Sequence, residues 1–197
     1  MPTIDTDTSG SQYIQKTNTG SSGESGGGIG AIRTTTHEYA TGDVGVAEAL
    51  AAIDPAGLAS TSAWAAVGST FSVTGSEARN FQIYPTGNIE GTLFSLFGGT
   101  AEGTVTLICS QVATDVTFDT QLAHKETDYG VDGEAWESVS LSGSLSVNLD
   151  PDYDYEVLVK ITSSASTDIA GGAVADVDDS DGGTEKVTVD QFEFVRG

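Results

Sequence analysis

Five carboxylates crowd into ten residues near the end of the chain, Asp176, Asp178, Asp179, Asp181 and Glu185 in "DVDDSDGGTE". A knot of side-chain oxygens beside two glycines is what a calcium loop requires. An EF-hand needs acids or amides at positions one, three and five, glycine at six and glutamate at twelve. Counted from Asp176, position five is Ser180, position six is Asp181 and position twelve is Val187. Counted from Asp178, Gly183 falls at six, but Gly182 occupies five and Val189 twelve. No register supplies the motif. What remains is a looser cation site on Asp176, Asp178, Asp179 and Asp181, weighed against a solvated hairpin loop feeding the last strand, and the sequence favours the loop.

The two histidines are the next groups with chemistry to offer. His37 lies in "IRTTTHEY", a strand by composition, and His124 in "LAHKETDYG", a loop by composition. Each has the type of a general base or a metal ligand. Neither belongs to an H-x-H or H-E-x-x-H arrangement, so a zinc site has no support. "GESGG" (23–27) matches the nucleophile-elbow pattern, but an elbow needs a strand before it and a helix after it. "GGGIGA" (26–31) fits a loose dinucleotide fingerprint and lacks the same flanks. Both matches fall in a Gly/Ser-rich stretch, where they arise by chance. Carboxylate pairs are uninformative among 29 acids. No catalytic residue and no cofactor are expected.

Cys109 is the lone cysteine, in phase with the apolar residues of "TVTLICSQV". It reads as a small buried hydrophobe, the functional alternative being an intersubunit disulfide. Trp64, Trp136, Tyr153 and Tyr155 are the rings that a sugar platform would use. Tyr155 is in phase with an apolar face and Trp64 lies among alanines, which leaves Trp136, in "DGEAWES", as the ring with an exposed setting.

Charge constrains the partners. Twenty-nine acids against seven bases give −22. At about 1 M salt the Debye length falls to roughly 3 Å, and the self-repulsion of such a polyanion largely disappears. A surface rich in Asp, Glu and Thr and poor in Lys therefore suits concentrated salt. Nucleic acid is disfavoured, because its binding depends on cations opposite phosphates, and so is direct docking on an anionic membrane. No apolar run approaches the ~20 residues of a membrane-spanning helix, and "MPTIDTDTSGSQ" has the form of no secretory signal.

Two regions are expected to position these groups. Residues 1–30 are rich in Gly, Ser and Thr and read as a flexible N-terminal arm. Residues 31–197 read as an antiparallel β-sandwich of about eight to ten strands with one short helix. The helix is assigned to "VGVAEALAAI" (44–53), ended by Asp54-Pro55. Two-residue periodicity marks the strands: Phe71 and Val73, Phe81 and Ile83, Val105 to Cys109, Leu145 to Leu149, and Tyr155 to Ile161. "TGSE", "PTGN", "FGGTAEG", "LSGS" and "DPDYD" read as turns. In the last strand Val187 and Val189 are out of phase with Phe192 and Phe194, which predicts a β-bulge at Asp190-Gln191. The strand number favours a jelly roll over an immunoglobulin-like sandwich, whose Cys…Trp…Cys signature is absent.

An acidic, cysteine-poor β-barrel chain with a Gly/Ser arm and a bulged "KVTVDQFEFV" strand resembles the smaller, single jelly-roll major capsid protein of icosahedral, internal-membrane viruses of haloarchaea. The resemblance covers 31–197 by architecture and composition and rests on no diagnostic motif. It implies a virion structural protein, assembled in the host cytoplasm and docking through barrel sides and its arm. The implied partners are copies of itself, other capsid proteins and membrane-associated virion proteins. Turret, spike or decoration proteins of haloarchaeal viruses share these features, so a module binding a host receptor or glycan is the alternative. The absence of an N-x-[ST] acceptor, with "NTG" at Asn18 the nearest approach, argues against a glycosylated surface-layer protein.

Overall fold

The computed structural model describes residues 1–15, 17–38, 45–127, 131–167, 171–177 and 186–197. Among these residues lie twelve strands and no helix: β1 (Thr3–Asp5), β2 (Ser11–Ile14), β3 (Thr19–Glu38), β4 (Gly45–Thr74), β5 (Arg79–Leu96), β6 (Gly99–Gln111), β7 (Thr117–Thr127), β8 (Val131–Ser140), β9 (Leu145–Leu149), β10 (Asp154–Thr167), β11 (Gly171–Val177) and β12 (Lys186–Arg196). Among the described residues only the pairing of β1 with β4 is parallel. The architecture is an antiparallel, sandwich-like all-β fold, with more strands than the eight to ten expected and without the expected helix.

The strands run in long collinear sets. β10 pairs with 60–72 of β4 and β11 with 49–57, both antiparallel, so together they form one line along β4. β12 extends that line, pairing with 45–47 of β4 and 81–90 of β5. β6 flanks β10 and β5 flanks β11. β7 then flanks β6, while β8 and β9 flank β5. β3 covers the other edge of β4. The sheet is therefore a set of antiparallel lines in the order β3, β4, β10–β11–β12, β5–β6 and β7–β8–β9.

A line this long has to fold over. The 30 residues of β4 would extend roughly 100 Å at ~3.3 Å per residue. Its odd-numbered side chains are buried from Ala47 to Ile53 and again from Ala63 to Val73. One apolar face of that length is buried only when the sheet creases and closes on itself, the corner device of orthogonally packed sheets. The crease crosses β3, β4, β11 and the β5–β6 line at one level. In β3 the register shifts between Ile29 and Ala31, and in β11 between Gly171 and Ala173. Between β5 and β6, Phe97 and Gly98 take left-handed φ values of 29° and 82°. A Cβ on Gly171 would collide with the carbonyl oxygens of Phe97 and Leu96, so the backbones cross there only because the residue is glycine.

The halves then face each other across one core. The ring of Trp136, on β8, occupies the space that a side chain on Gly103 of β6 would need. Ser163 Oγ, on β10, donates to the carbonyl oxygen of Ala49 at 2.7 Å. Phe71 stacks on Tyr155 at 5.7 Å and meets Phe194 edge-on at 5.1 Å. The Tyr155 hydroxyl accepts from Gln111 Nε2 and the Asp150 amide, which ties the turn at 150–154 to the core.

The helix assigned to 44–53 is corrected: residues 45–53 are strand. Ala, Leu and Glu favour helix locally, by tenths of a kcal/mol per residue. Partners on both edges of β4 outweigh that, and the odd-numbered alanines fit the crowded space between the layers. Asp54-Pro55 instead marks the crease, where neither β3 nor β11 pairs with 54–56. "PTGN" lies inside β5 rather than in a turn. β11 and β12 do not form a hairpin: Val177 pairs with Ala49 and Val187 with Ala47, so the chain resumes the same line after the acidic knot. The bulge is found where expected, as a register shift between Val189 and Gln191 with Val187, Val189, Phe192 and Phe194 all buried.

The first thirty residues enter the sheet. β1 lies beside the end of β4, β2 beside β12, and 19–29 of β3 beside 58–68 of β4. Ile4 and Ile14 are 0% and 2% exposed and belong to the core. The accessible surface is 8705 Å², against about 8,800 Å² expected for a compact monomer of this mass. Residue 30, where the boundary between arm and sandwich is expected, lies within β3.

Candidate functional site

The densest group of chemically capable side chains lies on the outer face of the β6–β7 hairpin. Alternation turns Glu102, Thr104, His124 and Glu126 to that face, and the register sets Glu102 opposite Glu126 and Thr104 opposite His124. His124 is in strand, not in the expected loop. Its Nδ1 lies 3.3 Å from Thr104 Oγ1 and 3.6 Å from Glu102 Oε1, and its Nε2 lies 4.0 Å from Glu126 Oε2. The imidazole therefore stands between the two carboxylates on this strand pair. Beside them a depression of about 210 Å³ is lined by Ser60, Thr100, Glu102, Glu126 and Ser164 to Ser166.

This geometry suits weak electrostatics better than catalysis. A hydroxyl next to an imidazole next to a carboxylate has the order of a nucleophilic triad. Here the Thr104 hydroxyl also contacts Glu102 at 3.3 Å, and among the described residues no carboxylate oxygen comes within hydrogen-bond reach of His124. The group lies on an open strand face. Among the described residues no set of three or more His, Cys, Asp or Glu side chains is placed to hold a metal ion.

Two other concavities are present. One, of about 400 Å³, opens where the β5–β8 register shifts and is lined by Glu90, Thr92, Trp136, Glu137 and Ser138. The other, of about 390 Å³, lies beside β2 between Met1, Pro2, Tyr13, Ile14 and Thr17. The Thr17 hydroxyl is buried there with no partner among the described residues.

The remaining sequence candidates are scattered. Cys109 is fully buried, and burial pushes its thiol up to about 12. A disulfide to a neighbouring subunit has no route to that sulfur without opening the core. Trp136 is 4% exposed, so the exposed aromatic pair that a sugar platform would use does not form around it. Tyr155 is also buried. Trp64 lies on the outer face with Lys160 Nζ 4.5 Å above its ring, and Tyr153 is in the turn before β10. His37 pairs with Ala47 in β3, and its side chain lies outside the described residues. Asp176 stands on β11 opposite Leu50 and Thr92. Asp178, Asp179, Asp181 and Glu185 lie outside the described residues, and with them the loose cation site.

Sequence reasoning missed Ile4, the opposed Glu102 and Glu126, and the Thr104–His124 contact. The alternation in "AEGTVT" and "AHKET" carries the signal, but it becomes readable only once the hairpin register around 112–116 is known. No family model, curated protein or solved structure matches this chain.

Proposed function

We propose that the chain is a virion structural protein, a capsid subunit of a virus of halophilic archaea, with the creased sheet as its jelly roll. One observation carries the reading. Three of the groups that could have served chemistry or ring stacking, Cys109, Trp136 and Tyr155, are spent on packing, and the molecule presents broad strand faces to its surroundings. Proteins that act by presenting faces are subunits of assemblies or scaffolds, and a charge of −22 suits assembly in concentrated salt, where like-charged faces approach at little cost. With 3–5, 11–14 and 19–29 paired to the chain's own strands, the flanks of the sandwich carry the contacts between subunits.

The test is assembly as a function of salt. Purified chain should sediment as defined multimers at about 1 M KCl or above and dissociate near 0.1 M, where the Debye length reaches ~10 Å. A chain that stays monomeric at every salt and protein concentration, and that joins no larger particle when mixed with lysate of infected haloarchaeal cells, overturns the reading.

A further inference from the structure

We infer that the outer side of the crease is a self-association face, on which a second copy of this chain docks. The inference rests on the structural-subunit reading and names the surface that serves it. One rung of the sheet there is apolar from strand to strand: Ile32 of β3 lies opposite Ala52 of β4, Ala52 opposite Val174 of β11, and Val174 opposite Phe94 of β5. All four point away from the core, since the buried set of β4 is the odd-numbered one. At the rim of the crease Ile29 pairs with Leu58, and Phe97 follows Phe94 by three residues. Ile29 and Phe97 are 74% and 69% exposed, and Ile32, Leu58 and Phe94 are 47%, 53% and 38% exposed.

The area points to a protein of similar size. At ~200 Å² for a fully exposed large side chain, these five leave on the order of 550 Å² of apolar surface to water. That is the upper end of what a typical monomer shows. One side of a standard interface is about 800 Å², and about 65% of a homodimer interface is apolar, which gives about 520 Å². The patch therefore has the size of the apolar centre of one dimer half.

The shape and charge narrow the occupant further. None of the three concavities described above is lined by these residues. The rung contains no ionisable side chain, so it offers a basic partner nothing to pair with. A second copy presents the same apolar rung, and a two-fold contact closes after two chains. Two chains of net charge −22 approach each other in that contact, and salt screens their repulsion. This fixes the sign of the salt effect: self-association strengthens as salt rises, whereas binding to a basic protein weakens.

The experiment is sedimentation equilibrium of the intact chain at rising KCl, comparing wild type with Phe94→Ser and Phe97→Gly. Phe97 has φ of 29°, a conformation that glycine adopts without strain, so that variant removes an exposed ring without endangering the fold. Circular dichroism checks both variants. Wild type is expected to dimerise with a dissociation constant that falls as salt rises, and each variant to raise it about tenfold or more, the scale of a buried aromatic at an interface. Association unchanged in both folded variants overturns the crease face while leaving the subunit reading intact. A wild type that is monomeric at all salts, or that instead binds a basic protein more weakly as salt rises, overturns the second copy as occupant.

Discussion

Ile14→Ala and Ile4→Ala test whether the N-terminal segment is part of the domain. Both side chains are buried in the shared core, 2% and 0% exposed. Replacing isoleucine by alanine removes three carbon groups, about 2.4 kcal/mol at ~0.8 kcal/mol each. A residual cavity adds ~24 cal/mol per Å³, so one of roughly 50 Å³ brings the loss to between 3 and 4 kcal/mol. β1 has three pairs to β4, and β2 has four to β12. Short edge strands can detach locally, so the measured loss stops at the cost of detachment. The expected loss is therefore about 2–4 kcal/mol for each variant, or roughly 5–15 °C in Tm for a domain of this size. Ile161→Ala on the central β10, fully buried, calibrates the same deletion where no detachment is available and should cost about 3–5 kcal/mol. Urea melts at constant KCl are the right assay, because guanidinium would change the ionic strength and with it the self-repulsion. If Ile4→Ala and Ile14→Ala both fall within ~0.5 kcal/mol of wild type, as for exposed sites, while Ile161→Ala is costly, the segment is an arm and its place in the core is refuted.

Three further outcomes follow from the same geometry. Gly171→Ala should cost more than 2 kcal/mol or yield insoluble protein, because its Cβ meets two carbonyl oxygens at the crease. Gly133→Ala, whose nearest neighbour would be 3.6 Å away, should be neutral or slightly stabilising; equal urea midpoints for the two would count against the crease. The Cys109 thiol is held up at about 12 against an ordinary value of 9.0, so its contribution is fully present below pH 9 and is lost as pH rises from there toward 12. That loss is at most about 1.4 kcal/mol per pH unit, and Cys109→Ala should melt with a shallower alkaline decline than wild type. A chain ended at Leu149 lacks the line that separates β4 from β5–β6 and should show no cooperative melt by circular dichroism; a two-state melt would mean that the hairpins fold without their central strand.

The periodicity of the sequence carried the strands well and their global arrangement poorly. Alternation at 71–73, 105–109, 145–149 and 155–161 reports a face that is buried locally, and those faces are buried in the fold. The bulge at 189–191 was legible for the same reason, because a phase slip is a local fact about two neighbouring pairs of side chains. The run at 44–53 misled because alanine satisfies both a helix and a narrow gap between sheets, and only the edge partners decide. Ile4 misled differently: one apolar residue in a polar stretch carries no period, and its burial depends on the end of β4, some seventy residues away.

The surface sites were hidden by register rather than by composition. Glu102 and Glu126 are ordinary acids until the β6–β7 hairpin sets them opposite each other with His124 between. Ile32, Ala52, Val174 and Phe94 come from four separate strands, and each sits in a stretch whose local pattern is unremarkable for a half-buried strand. Their adjacency requires β11 to be inserted between β4 and β5, a connection that only the C-terminal third of the chain makes. The crease adds the last requirement, since an uncreased sheet would have to cover its inner face with another element. Folding over covers the inner face with itself and leaves the outer face free. The part of that apolar rung left exposed contributes nothing to burial within the monomer, so what it can stabilise is contact with another molecule.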